Sequence, residues 1–93
     1  NVLYIESMGD FSKIHTQDQK TMVMLVGLKN AETQLQSKRF IRVHKQYLVN
    51  AEHIIQVLAN EIILTNKVVI PLSNAYKQLL NESVIDKLLL KRF

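Results

Sequence analysis

The chain has 93 residues, the length of one small domain with a thin core. Its 47% apolar and 22% charged residues are near globular averages and argue against disorder, and two Gly and one Pro leave no flexible or Pro-rich linker. The net charge of +4 favours anionic partners such as nucleic acid or membrane headgroups, while the absence of Cys excludes disulfides, thiolate zinc sites and cysteine nucleophiles and fits a reducing, cytoplasmic setting.

No apolar run approaches the roughly 20 residues of a membrane helix, and no signal peptide opens the chain. It begins without Met in the apolar run Val2-Leu3-Tyr4-Ile5 and reads as a piece of a longer protein with a partner domain upstream. Residues 2–6 are β-rich and end before Gly9-Asp10, a turn signal. Residues 11–16 alternate, 17–20 are polar and turn-like, and 21–26 form another strand, so the opening predicts an antiparallel meander. Leu28, Ala31 and Leu35 then fall at helical spacing and predict a short amphipathic helix over 28–36.

Residues 40–50 return to alternation, with Ile41, Val43, Tyr47 and Val49 apolar and Arg42 and Lys45 between them. Residues 53–58 and 61–65 flank Ala59-Asn60 as a hairpin. Asn66-Lys67 makes the next turn, and 68–72 a last short strand with Pro71 at its end or edge. Ser73 caps a helix starting at Asn74. The stripe Tyr76, Leu79, Leu80, Val84, Ile85, Leu88 and Leu89 continues it. The fold class is therefore mainly β, with one short internal helix and a helical C-terminus.

The strongest chemical feature is the run from Lys38 to Tyr47. Between Glu32 and Glu52 there is no acidic residue, while four Lys or Arg (Lys38, Arg39, Arg42, Lys45) and His44 fall in that gap. Such a run presents positive charge without internal neutralisation, suited to phosphate contacts and counterion release. Charge alone leaves it balanced against a solvated strand edge, where Lys discourages aggregation. His15, His44 and His53 match no compact zinc spacing. There is no Gly-rich phosphate loop, no nucleophile-elbow motif and no paired-carboxylate pattern beyond the ordinary Glu6 and Asp10, so no enzyme and no cofactor are expected. The basic, amphipathic end from Lys87 to Phe93 could touch a membrane, but its apolar residues better suit covering the sheet. Two other readings stay open on these residues: a protein-interaction β-module with a solvated basic rim, and a membrane-surface or single-stranded RNA binder. For RNA, Phe11 and Tyr47 are the few stacking candidates, and alternation places Tyr47 in the core.

The run Phe40-Ile41-Arg42-Val43-His44-Lys45-Gln46-Tyr47-Leu48-Val49-Asn50 resembles the signature of the LytTR (LytR/AlgR-type) DNA-binding domain. Leu3-Tyr4-Ile5-Glu6-Ser7, then Gly27-Leu28-Lys29 with Leu35, and Ile70-Pro71-Leu72-Ser73 resemble the family's opening strand, helix and closing motif, in order along nearly the whole chain. The resemblance implies an elongated sandwich of short antiparallel sheets. It implies the output domain of a bacterial two-component response regulator, with a receiver domain upstream. It further implies that loops enter successive major grooves of double-stranded DNA and bend it, with dimers on paired direct repeats. Three places would then meet DNA: the turn at 9–13 with Lys13, the segment at Lys45 and Gln46, and the stretch 74–77 with Asn74 and Lys77. Arg42 and His44 would meet phosphate or order the loop. Two positions depart from the family pattern: Gln46 stands for the usual Ser, and Asn74 for the Arg often found after the closing Ser.

Overall fold

A computed structural model describes residues 2–35 and 39–80. The expected stripe through Val84, Ile85, Leu88 and Leu89, the basic C-terminal run and Lys38 lie outside these residues. The opening meander is β1 (Val2–Met8), β2 (Phe11–Thr16) and β3 (Thr21–Met24), followed by α1 (Leu28–Leu35). A second hairpin, β4 (Phe40–His44) and β5 (Tyr47–Asn50), leads through a single 3-10 turn, Ala51–His53, into β6 (Ile54–Val57), β7 (Glu61–Leu64) and β8 (Val69–Pro71), and then α2 (Asn74–Leu80). All described pairings are antiparallel, in a five-stranded sheet ordered β3-β2-β1-β5-β4 and a three-stranded sheet ordered β6-β7-β8. The body is elongated, 41 × 27 × 22 Å.

The five-stranded sheet is covered on both faces. On one, Leu3, Ile41, Val43 and Val49 join Ile62, Leu64 and Ile70 of the small sheet and Leu80 of α2 in one buried cluster. On the other, Ile5 and Leu48 pack under Leu28 of α1, with Ile14, Leu35 and Phe40 at the margin. The alternation expected for 40–50 is therefore incomplete. Leu48, Val49 and Asn50 are all buried, because β5 lies inside the sheet with apolar layers above and below. Tyr47, expected in the core, is only half-buried at the cluster's edge. Leu3 and Ile5 share a parity yet face opposite clusters, because the β1–β2 register slips between Val2 and Tyr4, as at a β-bulge.

Two boundaries move for polar reasons. The strand expected to reach Val26 stops at Met24, because the Ser12 hydroxyl donates to the Val26 carbonyl (2.9 Å) and the chain turns into α1 through Gly27. The strand expected from His53 starts at Ile54, because Asn50 caps the 3-10 turn. Its Oδ1 accepts from the Glu52 amide (3.0 Å), and its Nδ2 donates to the Val2 carbonyl (2.8 Å), tying the start of β1 to the end of β5. The Ala59-Asn60 hairpin forms as expected, closed by Leu58 N–H to the Glu61 carbonyl (2.8 Å).

Candidate nucleic-acid interface

β4 and β5 are joined by Lys45 and Gln46, both exposed. The hairpin is irregular, its register shifting between Arg42 and His44, and beyond the last pair, His44 with Tyr47, side chains brace the turn. Arg42 Nε donates to the His44 carbonyl (2.9 Å) and Nη2 to the Lys45 carbonyl (2.6 Å). Its Nη1 reaches Glu32 Oε1 on α1 (2.9 Å), and the guanidinium carbon lies 5.7 Å from the Tyr76 ring centroid on α2. With only 14% of its side chain exposed, Arg42 is spent on binding the turn to both helices. His44 Nδ1 accepts from the Gln46 amide (3.1 Å), so the neutral ring carries its proton on Nε2.

Behind the turn, four rings cross four strands. His44 meets Tyr47 edge-on (5.6 Å), Tyr47 lies 6.1 Å from Tyr4, and Tyr4 stacks on His15 (4.3 Å, 9°). His15 Nε2 pairs with Glu6 (3.0 Å). Burial raises the Tyr4 hydroxyl above its ordinary pKa, with further rises from the Glu6 carboxylate and then Tyr47; burial and then Glu6 raise Tyr47.

The tertiary structure also changes the charge balance read from the basic run. Glu32 and Glu52, the two acids that bound the gap, fold back onto it: Glu32 onto Arg42, and Glu52 onto Arg39 (3.1 Å). The run is therefore partly neutralised, contrary to the sequence expectation. Among the described residues Lys45 makes no ion pair, and it stands at the tip of the turn.

Three expected contact segments converge. Ser7 N–H of β1 donates to the Gln46 carbonyl (2.8 Å), which sets the β1–β2 turn at Gly9-Asp10 beside Lys45 and Gln46. Ser73 N–H donates to the Val43 carbonyl (2.9 Å), which brings the start of α2 to the same end of β4. Ser73 caps α2 as expected, its hydroxyl accepting from the Ala75 amide (3.2 Å). Asn74 is exposed at the first helical position, and Lys77 follows, half-buried, within α2. Lys13 is less well placed. It lies mid-strand on β2, opposite Glu6 and Val23 and a step back from the turn. Sequence reasoning missed Glu32, Tyr76 and Asn50, whose roles depend on partners distant in sequence.

The three histidines have separate local partners: Glu6 for His15, the Gln46 amide for His44 and the Thr65 hydroxyl for His53 (3.1 Å). Among the described residues no group of three or more His, Asp or Glu could hold a metal ion, and no helix is long and apolar enough to cross a membrane.

Fold and site together define a class of mainly β domain that gathers polar side chains from two turns and a helix start at one end of its larger sheet. The family profile of the LytTr DNA-binding domain matches residues 1–84, and the chain belongs to this family of non-catalytic, DNA-binding domains. Among solved structures it is similar to a LytTr DNA-binding domain of a putative methyl-accepting/DNA response regulator from Bacillus cereus, with a TM-score of 0.79, 22% identity, and coverage of 88% of this chain and 79% of that one. At that identity the likeness establishes a common fold. Comparison with curated protein sequences returns no match.

Proposed function

We propose that the chain is the sequence-specific output domain of a two-component transcriptional regulator. It would work in the cytoplasm behind a receiver domain in the same chain, placing turns in successive major grooves of double-stranded DNA, with dimers on paired direct repeats. The observation that carries this reading is the convergence of three segments at one end of the five-stranded sheet, made by the Ser7–Gln46 and Ser73–Val43 backbone bonds. The side chains gathered there divide the work. Lys45 meets phosphate; Gln46 and Asn74 offer amides, the side chains that pair bidentately with adenine. Arg42 and His44 support the turn, and Lys77 and Lys13 flank it with positive charge.

The test is in vitro selection of bound duplexes followed by fluorescence titration. Lys45→Ala should weaken binding to every duplex and lower the salt slope by about one. Gln46→Ala or Asn74→Ala should instead relax base preference, at about 1–3 kcal/mol for a good base contact. If neither Lys45→Ala nor Gln46→Ala alters binding, the contact surface lies elsewhere.

A further inference from the structure

The β1–β2 turn differs chemically from the rest of the converged surface. Met8 and Phe11 form the last cross-strand pair before Gly9-Asp10, and both are exposed, at 42% and 40%. Leu25, 85% exposed, belongs to the link between β3 and α1, which is held against this turn. The Ser12 hydroxyl binds the Val26 carbonyl (2.9 Å), and a Cβ at Gly27 would lie 3.8 Å from the Gly9 carbonyl oxygen. Met8 and Phe11 thus put two large apolar side chains on the strands next to the Lys45–Gln46 turn, and Leu25, just past the Ser12–Met24 pair, extends this apolar stretch across the sheet's end toward β3. The residue at the tip of the β1–β2 turn, Asp10, is a carboxylate, which repels phosphate. This turn is therefore unsuited to gripping the DNA backbone.

In the major groove the apolar feature is the thymine C5-methyl, which apolar side chains recognise by contact. We infer that Met8, Phe11 and Leu25 form a thymine-methyl-reading surface, and that Asp10 keeps the turn off phosphate so that these side chains face base edges. The inference rests on the DNA-binding reading proposed above. It divides the labour there: the β4–β5 turn supplies charge and amides, and the β1–β2 turn supplies apolar readout. The patch is continuous with the proposed interface, because Ser7, one residue before Met8, is bonded to Gln46. That continuity favours DNA as its occupant over a second copy of the chain.

The experiment uses duplexes selected by the wild-type chain, resynthesised with deoxyuridine at single thymines, which removes only the methyl. Burial of one methyl is worth about a fourfold change in affinity, so wild-type protein should lose about that much at one or two thymines. Leu25→Ser and Phe11→Ala should bind the thymine and deoxyuridine duplexes alike. Lys45→Ala should lose affinity for both and keep the discrimination. Leu25→Ser guards against a folding defect in Phe11→Ala, because its side chain lies almost wholly in solvent. The inference is overturned if wild-type protein binds the duplex but ignores every methyl, or if both variants still discriminate. It is also overturned if the variants shift the sedimentation of the free protein while base preference stays unchanged, since a second copy then covers the patch. Absence of any duplex binding by wild-type protein would remove the DNA reading itself.

Discussion

The two turns that meet at one end of the large sheet are built in opposite ways. The β4–β5 turn is short, polar and braced from behind: Arg42 binds two of its carbonyls, His44 takes one of its amides, and a row of four rings backs it. The β1–β2 turn relies on Gly9 at φ 80° and on a neighbouring link held by one serine, and its exposed side chains are apolar or acidic. A braced turn holds its charged tip in place and loses little freedom on binding. A lightly held apolar turn can adjust to a groove and gains from burial.

The sharpest way to break the comparison is Arg42→Ala. It removes three charge-assisted hydrogen bonds, so stability in urea unfolding should fall by about 2–3 kcal/mol. Binding to all duplexes should fall further than with Lys45→Ala. Arg42→Lys should rescue little, because an ammonium carries its donors on one nitrogen and lacks the planar spread by which Nε, Nη1 and Nη2 reach separate acceptors. An unchanged urea midpoint would mean that the turn is not braced through this residue.

Ser12→Ala comes next, at about 1 kcal/mol for one buried hydrogen bond. Its local signature matters more: amide exchange should quicken at Ala31, whose N–H donates to the Gly27 carbonyl of the freed link, and stay slow at Ser7, whose N–H donates to the Gln46 carbonyl. Equal quickening at both places would make the turns one unit.

The smallest effect concerns pH. The Tyr4 and Tyr47 hydroxyls titrate above their ordinary values in the folded chain, so folding favours their neutral form. That contribution is complete below the unfolded tyrosine pKa, about 10, and is lost as pH rises through the raised folded values. Tyr4 and Tyr47 should ionise late in an ultraviolet titration. Tyr4→Phe should flatten the alkaline decline in stability. Ionisation of Tyr4 and Tyr47 at the ordinary tyrosine pKa would contradict the packed row behind the β4–β5 turn.

Much of the scaffold was legible because its signals are local. Gly9-Asp10, Ala59-Asn60 and Asn66-Lys67 mark turns through their own chemistry, and Ser73 announces its helix by accepting from an amide two residues on. Leu28, Ala31 and Leu35 show their buried face by spacing alone. Local signals also misled. Alternation predicts one buried face, so Leu48 was passed over and Tyr47 placed inside. Nothing in an eleven-residue window tells that a strand will lie between two others with apolar layers on both sides.

The amino-acid order by itself determined the opening meander, the Ala59-Asn60 turn and the short helix, while it showed residues 40–50 as one alternating run and the structure divided them at Lys45 and Gln46. Meander, turn and helix follow from residue chemistry acting over two to four positions. Only the tertiary structure decided which cations stay available. Glu32 and Glu52 end the basic run along the chain, yet in space they close back on Arg42 and Arg39. It also decided that the β1–β2 turn, the β4–β5 turn and the start of α2 share one end of the molecule. Ion pairing and the meeting of turns depend on distances across strands and helices, and those distances exist only once β1 lies between β2 and β5.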